Sequence, residues 1–110
     1  MTAGFKIKII GAGPTGALLA LSLARIGCNI TLEDINAYNR IVNKSRAYAL
    51  SHSSIKILAE LDLWNSLKFN AQEFNNLTLM DDVINQQILF DINDLPNKYN
   101  NVTSIGWILD

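Results

Sequence analysis

A single cysteine, Cys28, excludes an internal disulfide and any cysteine-based metal cluster, and no metal-ligand spacing occurs elsewhere in the chain. Charge is scarce: 17% of the 110 residues are charged, against about 25% in ordinary soluble proteins. With 49% hydrophobic residues a core can form, and part of the remaining surface is expected to be buried against further protein. The net charge of −1 leaves no basic footprint for nucleic acid and no polybasic anchor for acidic lipid. Long hydrophobic runs are missing too. The apolar stretch from Ala17 to Ala24 is far short of the ~20 residues that span a bilayer.

Lys6 and Lys8, followed by apolar residues up to Gly27 and Cys28, superficially imitate a lipoprotein signal. Gly11, Gly13, Pro14 and Gly16 interrupt that run, and Arg25 occupies a position near the cysteine where such a signal carries an aliphatic residue. A targeting segment is therefore not expected. The lone thiol fits a reducing compartment, and the expected location is the cytoplasm.

What is present begins at Phe5. The segment to Ile10 is β-branched and aromatic and runs into glycines, which predicts a strand ending in a turn. From Pro14 to Ile26 the pattern becomes helical, with Leu19, Leu23 and Ile26 on one stripe and alanines and leucines over most of the rest. Only Thr15, Ser22 and Arg25 are polar there, so burial on more than one side is expected. Gly27 is a natural helix stop. Ile30 to Leu32 then reads as a second strand, ending at Glu33 and Asp34. Strand, helix and strand within about 30 residues make a βαβ unit.

Between the first strand and the helix lies Gly11-Ala12-Gly13-Pro14-Thr15-Gly16. In a dinucleotide site the first glycine permits a tight turn, the second admits a pyrophosphate against the backbone, and the third lets helix and strand approach. The amides at the helix start then face the phosphates. Pro14 suits the first turn, where its missing N–H has no helical partner. An acid at the end of the second strand is needed for ribose hydroxyls. Asp34 stands eighteen residues after Gly16, with Glu33 one position earlier. Strand alternation turns the two apart, so one of them is expected to reach the ribose, and spacing favours Asp34.

Further on, Arg46-Ala47-Tyr48-Ala49-Leu50-Ser51 follows a loop of about ten residues, and a helix is predicted to open at Ser53 with Ile55, Leu58 and Ala59 on one face. The segment SRAYALSHSSIKILAELDLW, placed after GAGPTGALLALSLARIGCNITLED, resembles the aromatic-ring flavin hydroxylases of the p-hydroxybenzoate hydroxylase type. It looks closest to the branch that hydroxylates ubiquinone precursors, and SIGWIL resembles the strand of that family leading back towards the flavin. The resemblance implies an FAD-dependent monooxygenase using NAD(P)H and dioxygen on a small aromatic substrate, with weak peripheral contact at the inner membrane if the substrate is lipophilic. It puts Arg46 near the FAD pyrophosphate and ribityl chain, where a guanidinium pairs with phosphate. Members are several times longer, so a C-terminal part carrying further flavin and substrate contacts would be missing here. Asp34 stands where the family usually has glutamate. The other readings are a different FAD- or NAD(P)-dependent oxidoreductase, or a non-catalytic nucleotide-binding fragment.

No catalytic side chain is expected within these residues, since the cofactor carries the chemistry. His52 reads as a surface residue of a capping region, and Cys28 and Trp64 as packing residues. Leu77 to Met80 and Ile88 to Ile92 suggest two antiparallel strands turning through Asn85, Gln86 and Gln87. The polar segment from Asn93 to Asn101 reads as a loop, and Ser104 to Leu109 as a last strand with an open edge. The expected fold is α/β: a Rossmann-like βαβ FAD-binding unit with its following helix over residues 1–70, then the start of a mixed or antiparallel substrate sheet over 71–110, together an incomplete domain.

Overall fold

The structure, a computed structural model, describes residues 4–110. It is a mixed α/β chain forming two compact units, Met1–Ser45 and Arg46–Asp110. In the first, β1 (Lys6–Ile10) lies parallel to β2 (Asn29–Glu33), with Lys6 opposite Asn29 and Ile10 opposite Glu33. Helix α1 (Pro14–Arg25) makes the crossover between them. It stops at Arg25, one residue earlier than the apolar pattern suggests, because Gly27 takes a left-handed φ of +97°. The Gly27 N–H donates to the Ala24 carbonyl and the Cys28 N–H to the Leu23 carbonyl, each at 3.1 Å, which closes the last turn as a Schellman motif.

Among the described residues of this unit, Ile9, Ala20 and Cys28 are the buried apolar ones. Leu19 and Ile26 stay 48% and 59% exposed, so the chain does not bury α1 on several sides as its composition suggests. The reason is geometric: a helix on two strands has one layer to cover, whereas parallel sheets are ordinarily covered on both faces. The segment after β2, read from sequence as a loop, contains a short helix, α2 (Tyr38–Val42).

In the second unit β3 (Tyr48–Ser51) runs directly into α3 (His52–Glu60). The cap is Ser51, whose Oγ accepts from the Ser54 N–H at 3.2 Å, so the helix opens at His52 rather than Ser53. It ends as α1 does, with the Asp62 N–H on the Ala59 carbonyl and the Leu63 N–H on the Leu58 carbonyl, but with Asp62 in the left-handed position at φ +59°. Helix α4 (Trp64–Leu67) and a single 3₁₀ turn lead to β4 (Gln72–Phe74). Strands β5 (Asn76–Asp81) and β6 (Gln86–Asp91) form a hairpin, exposed along its length. Its turn is Asp82 to Asn85, with Asn85 at φ +50°, so Gln86 and Gln87 belong to the strand and not to the turn.

The last strand, β7 (Gly106–Leu109), is not the open edge expected from sequence. It is the middle of a three-stranded antiparallel sheet in the order β3-β7-β4. Sheet and helix bury Leu58 and Ser104, the latter 1% exposed. Two 3₁₀ turns, Ile92–Asp94 and Asn97–Tyr99, occupy the polar segment before β7.

Candidate functional site

The glycine turn sits where β1 meets α1. Gly11 adopts φ +106°, a conformation open to glycine and costly to most other residues. Its N–H donates to the Glu33 carbonyl at 2.7 Å, joining the ends of β1 and β2. Gly16 has a different duty: a Cβ there would collide with the Gly11 carbonyl oxygen and lie 3.5 Å from Ile9 Cγ2. Gly13 has neither. Its φ of −73° suits any residue, and a Cβ built on it meets nothing within 4 Å. Nothing among the described residues asks for glycine at this position.

Gly13 caps α1 with no side-chain bond, and the first helical bond runs from the Ala17 N–H to the Gly13 carbonyl at 2.9 Å. Thr15 and Gly16 precede that bond, so their amides have no acceptor within the helix. Pro14 occupies the first position, and the first turn holds no acidic side chain. The exposed end of α1 therefore presents N–H groups and the positive end of the helix dipole to an anion.

The two acids diverge. Asp34 folds back on the glycine turn: its Oδ2 accepts from the Ala12 N–H at 2.9 Å and its Oδ1 from the Asn36 N–H at 2.8 Å. These two backbone donors, Ala12 first, hold its carboxyl below the ordinary value of 3.8. A carboxylate has about four acceptor positions, so two donors leave it able to take ribose hydroxyls as well. Glu33 instead lies along the sheet, 3.4 Å from Lys8 Nζ, with both side chains at least half exposed. The link from Ala12 to Asp34 is invisible in the sequence, because a backbone amide donates from any residue type.

Arg46 opens the second unit as an exposed side chain, its guanidinium 5.7 Å from the Tyr48 ring centroid. His52 is not the surface residue expected. It is partly buried, its Nε2 lies 2.8 Å from the Ser104 carbonyl oxygen, and its ring stacks on Tyr99 at 5.1 Å and meets the edge of Trp107 at 4.9 Å. A carbonyl only accepts, so Nε2 carries the proton. Nothing near His52 in the sequence signals this, since all three partners lie more than forty residues on. Trp64 packs edge-on to Trp107 at 5.5 Å, and Cys28 is buried, both as packing residues. Replacing His52 by alanine is expected to cost the second unit about 2 kcal/mol, because a buried acceptor is left unmatched and Tyr99 and Trp107 lose the ring between them. Urea unfolding of His52→Ala would measure this, and an unchanged midpoint would count against a stabilising role for the His52 contacts.

Among the described residues no group of three or more His, Cys, Asp or Glu side chains is placed to hold a metal ion, and no helix is long and apolar enough to cross a membrane.

A strand, a glycine turn with one glycine left open, a helix start and an acid bound to that turn define a dinucleotide-binding βαβ unit. The chain belongs to the FAD binding domain family, whose model matches residues 5–106, and its cofactor is FAD. An uncharacterised protein of Synechocystis sp., slr1300, is 32% identical over 77 residues, which are 70% of this chain and 19% of that protein. HpxO of Klebsiella pneumoniae, solved with FAD and uric acid, matches in fold with a TM-score of 0.63 at 15% identity, over 100% of this chain and 26% of that one. The chain thus spans between a fifth and about a quarter of the length of these proteins.

Proposed function

We propose that this chain is the FAD-binding portion of a flavin-dependent monooxygenase that hydroxylates a small aromatic substrate with NAD(P)H and dioxygen. The observation that carries the cofactor site is Gly13, a glycine with no conformational or packing reason among the described residues, set at a helix start rich in N–H donors. The family supports FAD as the dinucleotide, and the fold shared with HpxO, a protein crystallised with FAD and uric acid, supports an aromatic substrate. The likeness of the Arg46–Trp64 segment to the ubiquinone-precursor hydroxylases makes such a phenol the substrate to try first. A lipophilic substrate of that kind would bring the protein into weak peripheral contact with the inner membrane.

In this reading the backbone from Gly11 to Gly16 receives the pyrophosphate, and the amides of Thr15 and Gly16 donate to it. Asp34 holds the turn through Ala12 and accepts from the ribose with its remaining lone pairs. Arg46 supplies a cation for phosphate. Bound FAD supplies the redox chemistry and the activation of dioxygen, while the protein positions it and excludes water.

Asp34→Ala is expected to weaken FAD binding by about tenfold or more, since hydrogen bonds to a charged group contribute about 1.5–3 kcal/mol. Glu33→Ala, which removes only an exposed ion pair, is expected to change it less than about threefold. Flavin fluorescence titration of both variants tests the assignment, and equal losses would remove Asp34 from its role. The Asp34 bonds to Ala12 and Asn36 favour the ionised carboxyl. Their contribution to the folded turn is therefore whole above pH 3.8 and is lost as pH falls through the lowered value. The reaction itself is tested by NAD(P)H oxidation that depends on a phenol and dioxygen. A protein that retains NAD and no flavin would sink the proposal.

A further inference from the structure

An open groove of 810 Å³ lies along α3, lined also by Lys98 and Tyr99 of the 3₁₀ turn Asn97–Tyr99 and by Val102. Its wall is apolar where Ile55, Ala59 and Val102 line it, and cationic where Lys56 and Lys98 do. Tyr99 lines the groove as well. The Ser53 side chain first, then Lys98 and the charge of Lys56, hold its phenol below the ordinary value of 10.0. The ring is fixed by its stack on His52, and Lys98 Nζ is 5.0 Å from its centroid. The aromatic ring is thus held in the same groove that Lys56 and Lys98 line.

A ligand that fits such a wall has one charged end and an apolar body. The charge is negative, to answer Lys56 and Lys98. It is single, because Lys56, Lys98 and Glu60 together give the lining one net positive charge. We propose that this groove binds a small organic carboxylate with an apolar body, the carboxylate held by Lys56, Lys98 and the Tyr99 hydroxyl and the body lying on Ile55 and Val102. The site lies wholly within the second unit and does not rest on the FAD reading.

The test is a calorimetric titration of the purified protein with benzoate, with benzamide as a neutral probe of the same shape. Benzoate is expected to saturate at or below about 1 mM, and benzamide to bind about tenfold more weakly. The double variant Lys56→Met with Lys98→Met is expected to lose about tenfold for benzoate, because both cations that answer the carboxylate are then gone. Both lysines are exposed, so circular dichroism and FAD titration of that variant should match the parent and show that the fold is intact. Benzoate binding no better than benzamide, binding unmoved in the double variant, or no saturation would each overturn the site. Loss of FAD binding in the parent would leave this result untouched.

Discussion

Gly13→Val should abolish FAD binding, by about a hundredfold or more, while leaving the unfolding transition of the protein within about 1 kcal/mol of the parent. The steric half of this rests on open space: a Cβ at residue 13 meets nothing within 4 Å, and the backbone there, at φ −73° and ψ −175°, is one a β-branched residue adopts readily. Valine is a poor helix cap, which is where the small stability cost comes from. The binding half rests on what the open space is for. A pyrophosphate bound to the turn takes several charge-assisted bonds at about 1.5–3 kcal/mol each, and losing two of them is a factor of about a hundred or more. Gly16→Val should do the reverse, destabilising the chain before any ligand is added, because its Cβ would overlap the Gly11 carbonyl. Thermal unfolding followed by circular dichroism, beside flavin titration, separates the two. A Gly13→Val protein that binds FAD as the parent does would remove the glycine turn from the flavin site.

How far the sequence can be read follows from how local each feature is. The βαβ unit is legible because its signals are short-range: β-branched residues before the turn, a glycine after α1, and an acid at a set spacing. The hairpin β5-β6 is legible for the same reason, although its turn falls a little earlier than the pattern suggests, since Asn85 in the left-handed region and not the two glutamines reverses the chain. The three-stranded sheet is not legible. β3 and β7 pair Tyr48 with Leu109 across most of the second unit, and alternation within a strand carries no information about its neighbour. The burial of His52 is hidden on the same ground, for its partners Tyr99, Ser104 and Trp107 are set by that long-range pairing. At the site, spacing is enough to nominate the glycines and Asp34. The bond from the Ala12 amide to Asp34, and the turning of Glu33 towards Lys8, emerge only in three dimensions.

Because β7 is central, Gly106 is expected to be the least replaceable residue of the second unit, and Gly106→Ala should destabilise it by about 3 kcal/mol. Gly106 pairs with Ser51 on one side and with Phe74 on the other. A Cβ at this position would run into the Leu50 carbonyl oxygen and stand 3.2 Å from the Phe74 ring. The first obstacle is backbone held in the sheet, which cannot turn aside as a side-chain tip can, so a methyl group forces β3 away from β7 or breaks their bonds. Overpacking of this kind costs about 1–3 kcal/mol in ordinary cores, and a rigid obstacle puts it at the upper end. The neighbours amplify it: the Ile105 N–H donates to the Phe74 carbonyl at 2.9 Å, and Trp107 meets Trp64 and His52 edge-on. Near-ultraviolet circular dichroism would report the tryptophan pair directly, and urea unfolding would give the energy. The tryptophan signal should fall along with the midpoint. If Gly106→Ala unfolds at the same urea concentration as the parent with that signal intact, β7 does not run between β3 and β4.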